Sequence, residues 1–136
     1  MIKQVKDEDS FYMICEQLNK VENKQMNSDT LFFNMAYNPE IITYMSYDNQ
    51  VPTGCAVIRD TLDVTGHRVF FILFQWRDAH YPKLKYEFTQ FLNDRAKELS
   101  VRKLVFTNSR NEDLVTRATR GLGFNKAYSV YERKVI

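Results

Sequence analysis

The chain has 136 residues, 44% of them hydrophobic and 26% charged, and a net charge of +2. That length suits one domain spanning 1–136, and no apolar run approaches the roughly 20 residues a membrane helix needs, which argues against a membrane protein. The small positive balance argues against nucleic acid as a partner. MIKQVKDEDS lacks a leader's apolar core, and Cys15 and Cys55 sit in core-like patterns, so a reduced, cytoplasmic setting is expected.

Ile2 to Lys6 alternates apolar and polar residues and predicts a first strand. Asp7, Glu8, Asp9 and Ser10 then form an acidic helix start, and Phe11, Ile14, Cys15, Leu18 and Val21 mark one helical face. Asn27, Ser28 and Asp29 supply a second cap before LFFNMAY, a compact apolar helix that stops at Asn38 and Pro39. Residues 41–47 alternate between two faces, Asp48, Asn49 and Gln50 turn the chain, and a second strand runs from Val51 to Arg59. Another turn, with Gly66 at its tip, leads into Val69–Phe74, an apolar β-branched and aromatic run expected to be a central strand covered on both faces.

From Asp78 to Lys83 the chain turns again, with Pro82 inside, and from Leu84 the apolar spacing becomes helical through Phe88, Phe91, Leu92, Ala96 and Leu99. This strand, turn and helix is the unit around which the chain is organised, because such a helix start carries unpaired N–H groups that suit an anion. VRKLVFT predicts a further buried strand. Candidate caps at 108–111 precede a helix from about Glu112 to Arg120, which Gly121 or Gly123 can end in a left-handed conformation. AYSVYERKVI then alternates as a last strand expected to pair into the sheet. The fold class is α/β, more closely an α+β mixed sheet in the order β α α β β β α β α β, with helices on both faces.

That order, with the ending NEDLVTRATRGLGF and a strand, resembles the GCN5-related N-acetyltransferase (GNAT) superfamily over nearly the whole chain. Asn111, Gly123 and Phe124 match the family's Asn at the start of the last helix and its Gly-Phe pair. The resemblance implies acyl transfer from acetyl-CoA or another acyl-CoA to an amine. In the family a (Gln or Arg)-x-x-Gly-x-Gly turn after the central strand cradles the cofactor's pyrophosphate on backbone N–H groups, and it falls here on His80-Tyr81-Pro82-Lys83-Leu84-Lys85. Lysine stands at both glycine positions and Pro82 removes an N–H, so a cradle of the usual kind is not expected. The implied cofactor-binding residues are Gln75, Trp76, Arg77, His80, Lys83, Lys85 and Asn111, with the lysines either holding phosphates or standing as solvated side chains at a site without a ligand.

Acyl transfer also needs a base for the amine proton and an acid for the thiolate. The family's tyrosine, four residues before the Gly-Phe pair, is Thr119 here, so the catalytic candidates are Asp78, which is also a natural turn residue, and Tyr128 on the last strand. His67 and His80 show no metal-ligand spacing, and neither cysteine has the context of a nucleophile, so no metal is expected. Arg110, Arg117 and Arg120 offer a small basic face. Two classes of function follow: an acyl-CoA-dependent N-acyltransferase with a divergent or degenerate cofactor site and a small-molecule or protein amine acceptor, or a non-catalytic binding or assembly protein on the same fold, for example a phage or mobile-element accessory protein with a protein partner. The sequence leaves acceptor and oligomeric state open.

Overall fold

The structure, a computed structural model, describes residues 1–22, 26–107, 115, 117–127 and 131–135. Strand β1 (Ile2–Gln4) is followed by helix α1 (Glu8–Asn19), capped by Asp7, whose carboxylate accepts the Ser10 N–H at 3.0 Å. Asn27 caps α2 (Ser28–Tyr37) in the same way, accepting from the Thr30 N–H at 2.8 Å. Strands β2 (Ile41–Asp48) and β3 (Val51–Leu62) form a hairpin through Asn49 and Gln50, with φ of 48° and 68°. A two-residue turn with both residues left-handed matches the twist of the strands it joins. The next turn is built on Asp63, whose Oδ1 accepts the N–H groups of Thr65 and His67, with Gly66 at φ 84°.

Strand β4 (Arg68–Arg77), helix α3 (Leu84–Glu98) and strand β5 (Lys103–Val105) complete the sheet, ordered β1-β2-β3-β4-β5. The first three pairings are antiparallel and β4–β5 is parallel, as a crossover through α3 requires. Period-two alternation divides the core. Met45, Cys55 and Val57 meet Phe11, Ile14, Leu18, Leu31 and Met35 of α1 and α2, whereas Tyr44, Ala56, Ile58 and Phe70 meet Leu84, Phe88, Leu92 and Ala96 of α3. Helices therefore cover both faces, as the sequence pattern implied.

Three regions differ from the expectation. Only Val69 and Phe70 of the apolar run are buried, and 71–74 are half-buried, because β5 pairs only with Val69, Phe70 and Phe71. Leu73 is an extra residue in β4: Val57 stands opposite Phe74 while Ile58 stands opposite Ile72. Strand β5 is three residues long and only partly covered, rather than the buried seven-residue strand expected. At the end of the chain, Val115, Arg117 and Ala118 are helical and Gly121 and Gly123 are left-handed at φ 79° and 81°, and Tyr131–Val135 is exposed and unpaired among the described residues; the expected caps at 108–111, residues 112–114 and 116 of the last helix and residues 128–130 and 136 of the last strand lie outside them. Alternation describes how a segment would pair but does not supply an edge, and β5 offers a short one.

Candidate functional site

The carboxyl end of β4 and the first turn of α3 meet at one end of the sheet, and a glycine brings them together. Gly54 of β3 lies beneath α3, where a Cβ would stand 2.9 Å from the Trp76 carbonyl oxygen, 3.0 Å from Phe88 Cε2 and 3.1 Å from Ser46 Oγ. Any larger residue would lift Phe88, and α3 with it, off the sheet. The Asp78 N–H donates to the Thr53 carbonyl at 2.7 Å, which makes Gly54–Arg77 and Ala56–Gln75 the non-hydrogen-bonded pairs of the ladder. The backbone groups of Gln75 and Arg77 thus face away from β3, toward an edge where no strand stands among the described residues. The Gln75 side chain is exposed on the α3 face, opposite Ala56, while Trp76 packs against the α1–α2 core.

The turn from Asp78 to Lys83 is tied down twice. The Asp78 carboxylate accepts the His80 N–H and meets His80 Nδ1, both at 2.8 Å. The backbone bond and then the ring hold the Asp78 carboxyl below its usual range, so it is ionised at neutral pH. The Tyr81 hydroxyl donates to Asp48 on the β2–β3 turn at 2.7 Å, and this bond to a carboxylate raises the phenol's pKa. The Leu84 N–H donates to Tyr81 O, and those of Tyr86 and Glu87 to Lys83 O. The amides of Lys83 and Lys85 donate to no group among the described residues. No side chain caps α3; its N-cap residue Lys83 has φ −78° and ψ −14°, ordinary helical values.

A hollow of about 250 Å³ opens here, lined by His80, Tyr81, Pro82, Lys83, Leu84 and Glu87. Lys83 is exposed, and the Lys85 ammonium lies 5.1 Å from the centre of the Tyr86 ring. At the hollow the Lys83 ammonium favours an anion and the Glu87 carboxylate opposes it; Lys85 is not among the lining residues. The turn thus gathers His80, Lys83 and Lys85, with Gln75, Arg77 and Asp78 at the adjoining strand end. Asn111 and Tyr128 lie outside the described residues. Thr119 Oγ1 donates to Val115 O at 2.8 Å, within its own turn. Among the described residues no three His, Cys, Asp or Glu side chains group as a metal site.

Sequence reasoning missed a charge division that it had the means to see. Residues 1–67 hold five lysines and arginines against ten acids, and residues 68–136 hold fourteen against seven. The boundary falls between β3 and β4, so the half bearing β4 and α3 is basic and the half bearing α1 and α2 is acidic. Unpaired N–H groups at this helix start were expected; which amides they are, those of Lys83 and Lys85 among the described residues, follows from backbone geometry.

No family model and no curated protein sequence matches the chain. Solved structures do: a ribosomal-protein-alanine N-acetyltransferase from Brucella melitensis biovar Abortus 2308 (TM-score 0.76, 15% identity, 99% of each chain covered) and the aminoglycoside 6'-N-acetyltransferase AAC(6')-IG from Acinetobacter haemolyticus (TM-score 0.75, 16% identity, 100% of this chain and 99% of that one). A third is AAC(6')-Iy in complex with a bisubstrate analog of coenzyme A (TM-score 0.77, 12% identity, 100% and 98% covered). Likeness at such low identity establishes the fold, and these neighbours share one architecture.

Proposed function

Proceeding from the GNAT acetyltransferase fold of this chain, we propose that it binds an acyl-coenzyme A along the open edge of β4 and at the start of α3, and passes the acyl group to an amine. The observation that carries this reading is the pair of amides at Lys83 and Lys85 that donate to no group among the described residues, at the two positions where the family's motif has glycine. Lys83 has ordinary helical dihedrals, so the turn does not need glycine's conformational freedom, and lysine adds only side-chain bulk beside the ligand. The two amides and the two ammonium groups suit a diphosphate at a helix start, and His80, held by Asp78, takes the place of the family's Gln or Arg. Coenzyme A supplies the acyl group as a thioester. The outward backbone groups of Gln75 and Arg77 are arranged to pair with an extended chain, as an added strand would be held, and they orient the carrier. The basic half receives the anionic carrier, and the acidic half favours a cationic amine. Asp78, ionised and engaged by His80, is a weak base and serves to orient that ring.

A second reading, a binding protein on this fold, is favoured by Thr119, whose hydroxyl is spent within its own turn where the family's acid stands. Calorimetric titration of acetyl-CoA at low salt separates the two. Micromolar binding that is lost in Lys83→Glu/Lys85→Glu, together with acetyl transfer to a panel of amines, supports the transferase. Absence of binding at millimolar ligand refutes it, and binding without transfer leaves the second reading.

A further inference from the structure

Two hydroxyl groups are sealed into the sheet beside the site. Ser46 of β2 and Thr53 of β3 are 1% and 3% exposed, and their side-chain oxygens meet at 2.8 Å. Thr53 reaches Ser46 because it is an extra residue in β3. Ser46 stands opposite Gly54 and Tyr47 opposite Pro52, so Thr53 has no place in the register, and its hydroxyl comes to the side of the sheet where Ser46 Oγ and Phe88 flank Gly54. Burying a hydroxyl costs free energy unless it is bonded, and an apolar pair of the same shape serves stability about as well. The same residue also holds the site. The Thr53 carbonyl accepts the Asp78 N–H at 2.7 Å, and the Asp78 carboxylate accepts the His80 N–H at 2.8 Å. A line of hydrogen bonds thus runs from Ser46 through Thr53 and Asp78 to His80, at the head of the turn that leads to Lys83 and Lys85.

We propose that Thr53 is a positioning residue for that turn. An extra residue disrupts the ladder locally, so the peptide planes around it need another restraint. The bond to Ser46 supplies one: it fixes the Thr53 side chain, and with it the aim of the Thr53 carbonyl at Asp78. Asp78 in turn holds His80 and sets the direction from which the chain enters α3, which decides where the Lys83 and Lys85 amides point. Both hydroxyls are buried, so Thr53 acts only through Asp78 and touches no ligand. That the turn serves an acyl-coenzyme A rests on the function proposed above; the positioning is a property of the free protein.

Two variants of the full chain test this. Ser46→Ala/Thr53→Val removes both hydroxyls and strands neither, so its urea midpoint should stay close to that of the wild type, whereas Thr53→Ser keeps the bond. In the free protein, hydrogen exchange at the Asp78 and His80 amides should quicken about tenfold in the double variant while the rest of the β3–β4 ladder keeps its protection, and Thr53→Ser should keep the wild-type rates. Calorimetric titration with acetyl-CoA should follow the same order, with affinity about tenfold lower in the double variant and retained in Thr53→Ser. Unchanged exchange at Asp78 and His80 overturns the proposal. So does a lower midpoint with protection lost along the whole ladder, since the pair would then serve stability alone, and so does quickened exchange with unaltered affinity, since the turn would then not set the two amides. A wild type that binds no acetyl-CoA refutes the function proposed above instead, and the exchange rates still decide whether Thr53 positions the turn.

Discussion

Gly54→Ala is the smallest change that tests how α3 is seated. The added Cβ would meet three atoms at 2.9, 3.0 and 3.1 Å, and none of them can swing away. The Trp76 carbonyl is backbone in the neighbouring strand, Phe88 is fully buried, and Ser46 Oγ is fixed by a buried bond of 2.8 Å to Thr53. Overpacking of this kind costs about 1–3 kcal/mol, and three rigid contacts put it in the upper part of that range. Alanine returns roughly 0.5–1 kcal/mol by restricting the unfolded chain, which leaves a net loss of about 1–2 kcal/mol. Urea unfolding should show a lower midpoint at an unchanged slope, with a melting temperature roughly 5 °C lower. Acetyl-CoA affinity should fall too, since the Lys83 and Lys85 amides move with α3. A midpoint equal to or above the wild type would refute the close seating of Phe88 on β3.

Cys15 and Cys55 should resist a thiol reagent at pH 8 in the folded protein and react only on unfolding, because burial raises both thiol pKa values, that of Cys55 to about 12. Asp63 accepts from the Thr65 side chain and the His67 N–H and is held at about 2 instead of 3.8, so its contribution is present above the ordinary value and lost as pH falls through about 2. Asp63→Asn should accordingly unfold at lower urea than the wild type at pH 5, with the gap closing between pH 4 and 2. Tyr81→Phe removes the tie to Asp48, and hydrogen exchange at the bonded amides of His80, Tyr81 and Leu84 should quicken while the β2–β3 ladder keeps its protection.

Most elements were legible because caps, turn residues and apolar spacing agreed. Asp7 and Asn27 cap α1 and α2, Asn49 and Gln50 turn the hairpin, and Leu84, Phe88, Leu92 and Ala96 face the sheet. The extra residue at Leu73 was hidden, since Val69–Phe74 is apolar throughout and has no alternation for a bulge to interrupt. Likewise, LFFNMAY is a compact apolar run, yet only Leu31 and Met35 of its helix are enclosed; one amphipathic stripe cannot account for every aromatic residue in a short apolar run. At the site, the missing glycines were visible, and the structure adds that Lys83, at one of those positions, has ordinary helical dihedrals. Which amides remain unpaired depends on how Tyr81 and Lys83 carbonyls are shared, and residue types do not encode that.

The most direct measurement is the amide spectrum of the ¹⁵N-labelled protein during titration with coenzyme A. The account predicts that the Lys83 and Lys85 N–H resonances move downfield together, as new hydrogen bonds to phosphate form, followed by those of Gln75 and Arg77. Saturable binding that leaves Lys83 and Lys85 in place, or no binding at all, would contradict it.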